Sequence, residues 1–326
     1  MRSFKHINAG SIEEACELLN KYGGKAKINA GGSDLILTLK DSILPEYPEA
    51  IINIKNIQGM DNISEDDNSI KIGTLATLDC ICRSDLLKEK YQVLVEAAKT
   101  VASPQIRNIA TIGGNLFQDV RCWYYRYSSK IGGPVKCLRK GNGPCLAVKG
   151  DNRYHAIIDG KKCYAVCPSD MATALAALDA TATLVSVNGE REIPVQDLYS
   201  PLHINIEKNE MIKEISFPAI DYLSKRQVFN KFTHRKPIDY AIASLALLID
   251  VKNGVVENSR IVLGAVSYQP YRALAAEDFI KGKYLDEMTA TKAAEKALAE
   301  SKPLSKNAYK VNITKSLIKS ALLDVL

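Results

Sequence analysis

Residues 111–179 read TIGGNLFQDVRCWYYRYSSKIGGPVKCLRKGNGPCLAVKGDNRYHAIIDGKKCYAVCPSDMATALAALD. A Gly-Gly turn opens this segment and an Ala- and Leu-rich helix closes it. Between them lie five of the eight cysteines of the chain, which are Cys122, Cys137, Cys145, Cys163 and Cys167. Several soft metal ligands and many glycines in one irregular stretch predict an inserted, functional loop.

The same loop concentrates positive charge. Residues 121–162 contain ten Lys or Arg but only two acids, Asp151 and Asp159, and so carry a net charge of +8, whereas the whole chain carries +6. Basic surroundings offset the negative charge of a thiolate-bound cluster. The same charge also suits a solvated surface loop, so it does not by itself identify a metal site.

The cysteine spacing does not match a common metal motif. It is Cys-x14-Cys-x7-Cys-x17-Cys-x3-Cys, which is neither a C-x2-C zinc ribbon nor a bacterial ferredoxin run. Three or four converging sulfurs would bind a soft metal or an iron–sulfur cluster. A free cysteine is also a small buried apolar residue, so the spacing leaves a metal site and idle thiols as equal alternatives.

The composition is that of a globular protein. With 326 residues, 46% hydrophobic and 25% charged, the chain is long enough for two or three domains. It has no apolar run of 18 residues and no signal-peptide pattern, so we expect no membrane span and a cytoplasmic location. Eight cysteines in that setting argue against a disulfide scaffold. Without a basic stripe interleaved with aromatics, no nucleic-acid binding is expected.

A first Gly-Gly turn precedes the loop. Lys27–Ala30 predicts a strand end, Gly31-Gly32-Ser33-Asp34 a turn, and Leu35–Lys40 a helix start. Backbone N–H groups and the helix dipole can hold a phosphate at such a turn. Neither the Rossmann nor the P-loop fingerprint is met, so a plain strand-to-helix turn is the alternative. The second turn, Gly113-Gly114, offers another close approach, and the two together can clamp one dinucleotide.

Outside the loop, predicted strands and helices alternate in the first part of the chain, whereas in the last part the strands precede the helices. The capping box Ser11-x-x-Glu14 begins a helix, and Asp85–Ala102 is predicted as one helix. After residue 225 strands come first and helices last, with Asn253-Gly254 as a hairpin signal. This order predicts an α+β fold rather than a doubly wound parallel sheet.

Several motifs resemble one known family. AGGSDL at 30–35, SPQIRN at 103–108 and TIGGN at 111–115 resemble the flavin (medium) subunit of the molybdenum hydroxylases, the xanthine dehydrogenase family. CYAVCPSD at 163–170 resembles the segment that follows in this family, and the residues from Lys231 to Ala241 resemble the opening of its C-terminal domain. The motifs occur in the order found in the family and span essentially the whole chain.

The resemblance implies a domain organisation. A two-part, PCMH-type FAD-binding domain would cover residues 1–222, with a small α/β subdomain at about 1–56, a mixed α+β subdomain at 57–222 and an iron–sulfur loop at 119–167. Residues 223–326 would form an antiparallel sheet with helices, similar to the C-terminal domain of the CO dehydrogenase flavoprotein.

The resemblance also implies FAD contacts. Backbone N–H groups of the first turn would hold the diphosphate, Asp170 would bond the adenosine end, and Lys231 would lie near the flavin. Asp170 has a simpler alternative as a helix cap together with Ser169, and Lys231 as an exposed strand lysine. The implied FAD residues are Asn29, Ala30, Gly31, Gly32, Ser33, Asp34, Leu35, Ser103, Thr111, Gly113, Gly114, Asn115, Asp170 and Lys231.

The cysteine loop narrows the resemblance to a subset of the family. In that subset, which includes 4-hydroxybenzoyl-CoA reductase and bacterial aldehyde oxidoreductases, the flavin subunit carries an extra [4Fe–4S] cluster. By position, the implied ligands are Cys122, Cys137, Cys145 and Cys163, and Cys167 is the alternative to Cys163 as fourth ligand.

The implied function is electron transfer within an oxidoreductase complex. The partners would be a large molybdenum-cofactor subunit and a small [2Fe–2S] subunit, with ferredoxin or NAD as the external carrier. The basic loop would attract an acidic ferredoxin electrostatically. The alternatives are a plain FAD subunit whose loop is metal-free or holds structural zinc, and a stand-alone flavin oxidoreductase. The sequence leaves the substrate, the carrier, the direction of electron flow and the stoichiometry open.

Overall fold

The computed structural model of the chain describes residues 1–128, 135–219, 226–235 and 238–325. The domain boundary predicted between residues 222 and 223 lies outside the described residues. The α+β prediction is confirmed, because three separate sheets and the helices packed on them account for the regular structure of the described part.

The first unit is a small α/β layer. Its parallel sheet has the order β1-β3-β2, and helix α1 packs on it with Ala15, Cys16 and Leu19 buried. Ser11 caps α1 as predicted, because its Oγ accepts a hydrogen bond from Glu14 N, whereas Glu14 Oε2 accepts from Gly10 N rather than from Ser11 N, the donor of a standard capping box. The elements of this unit are β1 Lys5–Asn8, α1 Ile12–Tyr22, β2 Ala26–Asn29, α2 Leu35–Lys40 and β3 Ala50–Asn53.

The second unit is built on a five-stranded antiparallel sheet of order β4-β5-β8-β6-β7. The chain leaves this sheet after β5 and returns at β6, and the cysteine-rich insert lies in the excursion between them. The strands are β4 Ile63–Glu65, β5 Ser69–Gly73, β6 Thr181–Ser186, β7 Gly189–Pro194 and β8 Met211–Pro218.

The helices of the second unit fill that excursion. Asp170–Ala177 is buried along its whole length, which fixes the position of its first residue, Asp170, in the interior. These helices are α3 Leu78–Arg83, α4 Asp85–Lys90, α5 Gln92–Lys99, α6 Pro104–Arg107, α7 Ile112–Leu116, α8 Trp123–Arg126 and α9 Asp170–Ala177.

The prediction of one helix over Asp85–Ala102 is wrong. The chain forms α4 and α5 instead, and Tyr91 between them adopts φ −130° and ψ 52°. The break buries Tyr91, whose ring packs edge-on against Phe217 with centroids 5.0 Å apart. The apolar pattern continues through the break because both helices pack on the same core, so periodicity alone did not reveal it.

The third unit is a four-stranded antiparallel sheet of order β12-β11-β10-β9 covered by helices. The hairpin prediction is confirmed, since Asn253 (φ 52°) and Gly254 (φ 80°) form the turn between β10 and β11 in the left-handed conformation that such a turn requires. Its elements are β9 Arg226–Phe232, β10 Ala243–Lys252, β11 Val255–Gly264, β12 Tyr271–Arg272, α10 Leu274–Ile280, α11 Glu287–Ala297 and α12 Tyr309–Leu323.

In the part of the chain that the structure describes, every helix is too short or too polar to cross a lipid bilayer.

Candidate flavin and cysteine sites

The two glycine turns line one cavity. It has a volume of about 500 Å³ and is bordered by residues 29–35 and by Thr111, Gly113 and Gly114, among others; we call it the glycine cavity. A Cβ on Gly31 would overlap the carbonyl oxygen of Ile109, and a Cβ on Gly113 would overlap Thr74 Oγ1. Glycine is therefore required at both places for the two turns to approach each other.

The first turn presents unused donors to this cavity. Within the described ranges, the backbone N–H groups of Gly31, Gly32 and Ser33 have no acceptor in the protein. Gly32 has φ 70°, which a residue with a side chain rarely adopts. Successive unpaired N–H groups in such a turn form a concave site for an anion.

The side chain of Asp34 does not point to the cavity as a free carboxylate. It accepts hydrogen bonds from Arg121 Nη1 at 2.6 Å, from Arg126 Nη2 at 2.9 Å and from Asp119 N at 2.8 Å. These three partners belong to the start of the insert, whose residues 119–167 we call the cysteine loop. Asp34 therefore ties the first glycine turn to the cysteine loop through two charge-assisted contacts.

Most of the other predicted FAD residues lie outside the lining of the glycine cavity and have structural roles. Ser103 and Thr111 accept hydrogen bonds from the backbone at the starts of α6 and α7, although Thr111 also lines the cavity. Asn115 Oδ1 accepts from Ser169 Oγ at 2.6 Å and so joins α7 to the start of α9. Ser169 caps α9 through its hydroxyl, which accepts from Ala172 N.

Asp170 and Lys231 form a buried ion pair. Lys231 Nζ lies 2.7 Å from Asp170 Oδ2 and also donates to Thr100 O at 3.0 Å, and the two side chains are 5% and 7% exposed for Lys231 and Asp170. Burial raises the pKa of Asp170, and the ammonium of Lys231 opposes that shift. Lys231 is therefore not an exposed strand lysine. Ser169 caps the helix, as the simpler alternative for this position held, and Asp170 is its first residue.

A second cavity of about 300 Å³ lies between the cysteine loop and the third unit. Its wall is rich in rings, so we call it the aromatic cavity. It borders Asp170 on one side and Cys122 on the other. The rings and imidazoles in its wall are Trp123, Tyr154, His155, His234 and Tyr240.

Four of the five cysteines of the loop lie in one neighbourhood. A charge on Cys137 or Cys163 raises the pKa of both Cys122 and Cys145, which places these thiols close to one another. Burial is the larger cause and raises the pKa of Cys122 to about 12. Without a metal Cys122 and Cys145 are therefore protonated near neutral pH, and any metal they bind must displace their protons.

Backbone donors surround these sulfurs. Cys122 accepts N–H groups of Tyr124 and Tyr125, and Ala165 N donates to Cys163 Sγ at 3.4 Å. Cys145 accepts from Ala147 and Tyr164. Hydrogen bonds of this kind stabilise thiolates that ligate a metal or a cluster.

The described thiols are not, however, drawn together around a single ion. Among the described residues, no three His, Cys, Asp or Glu side chains are arranged to hold a metal ion. A zinc ion would need its sulfurs about 4 Å apart, given a Zn–S distance of about 2.3 Å, whereas the cysteine sulfurs of a [4Fe–4S] cluster lie farther apart because each binds a different iron. His155 Nε2, at 3.2 Å from Cys122 Sγ, is the imidazole contact of this group.

Cys167, the alternative fourth ligand, belongs to a different environment. It is buried in the main core beside α9, and burial raises its pKa to about 12. The charges that act on it are those of Asp170 and Arg139, and Tyr199 is its side-chain hydrogen-bond partner. Cys163 instead packs with Cys122 and Cys137. The assignment of Cys163 rather than Cys167 stays a prediction, and this separation favours it.

The C-terminal part of the chain anchors the cysteine loop. The buried amide of Asn307 donates to the carbonyls of His155 and Ala156, both at 3.1 Å. Lys310 Nζ donates to His155 O at 3.0 Å and to Ala265 O at 2.7 Å. Burial lowers the pKa of Lys310 to about 7 and that of His155 to about 4.

The sequence reasoning missed several residues of the glycine cavity. Thr74, Tyr125 and Arg139 line it, but no local motif marks them. The sequence identified Tyr125 and Arg139 only as members of an aromatic and basic loop. No pattern in it predicted that this loop folds back onto the first turn.

Comparison with known protein families identifies the family to which this chain belongs. The family model described as FAD binding domain in molybdopterin dehydrogenase matches residues 2–220, and the CO dehydrogenase flavoprotein C-terminal domain matches residues 228–325. The chain belongs to the FAD-binding subunits of the molybdenum hydroxylases. The resemblance read from the sequence motifs is thereby confirmed, and with it the expectation of FAD as cofactor.

Relatives of full length support the same family. The chain is 28% identical to the aldehyde oxidoreductase FAD-binding subunit PaoB of Escherichia coli K12, covering 99% of this chain and 98% of that protein. It is 26% identical to the glyceraldehyde dehydrogenase medium chain of Sulfolobus acidocaldarius, with the same coverage. These relatives are subunits of oxidoreductases, as we predicted for this chain.

Solved structures share the fold over nearly the whole length. Quinoline 2-oxidoreductase from Pseudomonas putida 86 matches with a TM-score of 0.78 at 22% identity, covering 99% of this chain and 96% of that chain. Carbon monoxide dehydrogenase from Hydrogenophaga pseudoflava matches with a TM-score of 0.78 at 25% identity and the same coverage.

Proposed function

We propose that this chain is the electron-transferring FAD subunit of a cytoplasmic, heteromeric molybdenum hydroxylase-type oxidoreductase, and that its cysteine loop holds a [4Fe–4S] cluster. The observation that carries the proposal is the juxtaposition of two sites. Two glycine turns enclose one cavity, four thiols gather beside it, and the Asp34 contacts with Arg121 and Arg126 join the two.

The glycine cavity suits the diphosphate of FAD. Gly31, Gly32 and Ser33 offer unpaired N–H groups, and Gly113 lets the second turn approach without a side chain in the way. Asp170 and Lys231 lie beyond this cavity, and Asp170 borders the aromatic cavity. We propose that the aromatic cavity receives the flavin ring and that the buried pair orients it. Because Asp170 lies 2.7 Å from Lys231, this role replaces the contact with the adenosine end that the resemblance implied for Asp170. Bound FAD supplies conversion between one- and two-electron transfer.

The cysteine group suits a cluster better than a single ion. Cys122, Cys137, Cys145 and Cys163 are the proposed ligands, and Cys122, Cys145 and Cys163 already accept backbone N–H groups. The protein would also hold an ammonium nearby, since the charges of Cys137 and Cys122 act on Lys140. A cationic neighbour raises the reduction potential of a negatively charged cluster.

The partners are proposed from the family. PaoB is named as a subunit, and the relatives from Sulfolobus and Hydrogenophaga are named as medium chains. We propose that this chain likewise assembles with a large molybdenum-cofactor subunit and a small [2Fe–2S] subunit, and delivers electrons to ferredoxin or NAD. If the basic loop docks ferredoxin, the rate of electron transfer to ferredoxin falls steeply with salt.

A second candidate is a plain FAD subunit with a metal-free loop. It is favoured by the finding that no three potential ligands among the described residues surround one point. The two candidates differ in iron content, so one preparation separates them.

The test is anaerobic purification of the complex with flavin, iron and zinc quantified, followed by low-temperature EPR after reduction. The expected result is one FAD in this chain and four irons beyond those of the small subunit. Cys122→Ser and Cys163→Ser should remove these irons, whereas Cys167→Ser and Cys80→Ser should keep them. FAD without the extra iron would establish the second candidate, and absence of both cofactors would refute the assignment.

A further inference from the structure

Three arginines of the cysteine loop reach the glycine cavity or its wall, and two of them donate hydrogen bonds to the protein, although the buried Nε of Arg121 has no partner among the described residues. Arg126 donates from Nε to Val120 O at 2.7 Å and from Nη2 to Asp34. Arg121 donates to Asp34 and to Gln118, and its guanidinium lies 4.5 Å from the ring centroid of Tyr240. Both side chains thus have partners that explain their position.

Arg139 differs from these two. It lines the glycine cavity, and its side chain is only 10% exposed. In the ranges that the structure describes, its buried Nε has no hydrogen-bond partner. Its Nη1 lies 3.8 Å from Asp119 Oδ1, which is too far for a hydrogen bond. A guanidinium carries five N–H donors, and leaving a buried one such as Nε unpaired is costly.

The nearby carboxylates are already satisfied by other groups. Asp119 Oδ1 accepts from Val120 N at 2.9 Å, and Asp119 Oδ2 accepts from the hydroxyl of Tyr125. Asp34 accepts from the two other arginines. Arg139 is thus paired only loosely with Asp119, at 3.8 Å, and keeps donors for a further anion in the cavity.

We propose that Arg139 binds a phosphate group of FAD from the side of the cysteine loop. This inference rests on the proposed function. The unpaired N–H groups of the first turn face the same cavity, so a diphosphate there would be held by backbone donors on one side and by a planar, bidentate guanidinium on the other. Because Arg139 follows Cys137 by two residues, order in the cysteine loop then contributes to flavin affinity.

The test measures FAD binding to the complex after flavin removal, by titration of flavin fluorescence, with ADP and riboflavin as competing probes. Charge-assisted hydrogen bonds of this kind predict that Arg139→Gln weakens FAD binding by roughly 10- to 100-fold. ADP should compete less well in this variant than in the wild type, whereas riboflavin, which has no phosphate, should compete equally in both. Arg139→Lys should give an intermediate loss, since it keeps the charge but not the bidentate geometry.

The matched control is Arg153→Gln. Arg153 also lies in the cysteine loop, but it is exposed, pairs with Asp151 at 2.6 Å and does not line the glycine cavity. Its substitution should leave FAD affinity unchanged. Circular dichroism and the melting temperature of each variant show whether it folds, and Arg139→Lys carries the test if Arg139→Gln does not.

Two results would overturn the inference. Loss of iron from Arg139→Gln with FAD binding as in the wild type would assign the cation to balancing the cluster. Equal losses of ADP and riboflavin competition would instead mean a general distortion of the cavity. A wild-type complex that takes up no FAD at all would refute the proposed function itself, so the two failures are distinguishable.

Discussion

The glycine cavity and the cysteine loop are built in opposite ways. The cavity is formed by backbone at the ends of strands and helices, and its shape depends on side chains being absent at Gly31 and Gly113. The loop has little regular structure and is positioned by side chains that reach across the chain, such as Arg126 to Asp34 and Lys310 to His155 O. Adding atoms should therefore damage the first region, and removing them should damage the second.

We expect the largest effect at the buried pair of Asp170 and Lys231, which lies outside both regions and joins α9 to β9. Asp170→Asn leaves the ammonium of Lys231 buried without its counter-charge and should lower the free energy of unfolding by about 3–5 kcal/mol. Lys231→Met should cost less, because burial already raises the pKa of Asp170 and the carboxyl can protonate. Urea denaturation of the flavin-free protein measures both.

The control for this pair is Lys25→Met. Lys25 and Glu49 form an ion pair of similar length, 2.9 Å, but their side chains are 63% and 57% exposed. An exposed pair contributes at most about 1 kcal/mol. Equal costs for Asp170→Asn and Lys25→Met would mean that the interior pair is hydrated and does not stabilise the contact between α9 and β9.

Adding one methyl group to the first turn should damage FAD binding in the glycine cavity and leave the cysteine loop intact. A Cβ on Gly31 would overlap a backbone oxygen that cannot move independently, so Gly31→Ala should cost about 1–3 kcal/mol and abolish tight FAD binding. If the cysteine loop holds the proposed cluster, its iron content should not change. Gly10→Ala is the control, because its Cβ would meet only Glu14 Oε2 at an ordinary 3.4 Å. Loss of iron together with flavin would show that the loop depends on the cavity.

Removing atoms from the loop anchor should have the complementary effect. Asn307→Ala deletes the donors to His155 O and Ala156 O and should cost about 1–3 kcal/mol, the penalty for unpaired buried groups. We expect faster hydrogen exchange in residues 147–156 and poorer iron retention, with less effect on FAD. The exposed Asn188 gives the control variant Asn188→Ala. Unchanged exchange in this segment would contradict anchoring by Asn307.

This contrast also explains what the sequence could predict. The helix cap at Ser11, the hairpin at Asn253-Gly254 and the glycine turns depend on neighbours within a few residues, and a local pattern records them. The break at Tyr91 was missed because the ring of Phe217, far along the chain, supplies its reason. The burial of Lys231 and the engagement of Asp34 also depend on distant partners.

The contacts within the cysteine loop could not be predicted from the sequence. The composition of the loop indicated a functional insert, but the spacing could not say which sulfurs meet. The structure brings Cys163 to Cys122 and Cys137 and places Cys167 in the main core. It also turns Arg139 back to the first glycine turn. Such contacts depend on the path of the whole chain, and no periodic sequence pattern predicts that path.

The smallest expected effect concerns the charge of the loop anchor Lys310. Burial holds the pKa of Lys310 at about 7 in the folded protein, below its ordinary value of about 10.4. Between these values the unfolded chain binds more protons than the folded one, so stability rises with pH. From pH 7 to 8 this group alone should add about 1 kcal/mol to the free energy of unfolding.

The difference between wild type and Lys310→Met isolates this effect, because other groups that titrate in this range cancel. His155 does not contribute, since burial lowers its pKa to about 4 and its ring stays neutral from pH 7 to 8. A neutral amine has two N–H groups, and Lys310 has two acceptors, His155 O and Ala265 O. The anchor therefore suits the uncharged form. A pH-independent difference between the two proteins would mean that Lys310 stays charged, and the loop would then be held by an ammonium with a third partner.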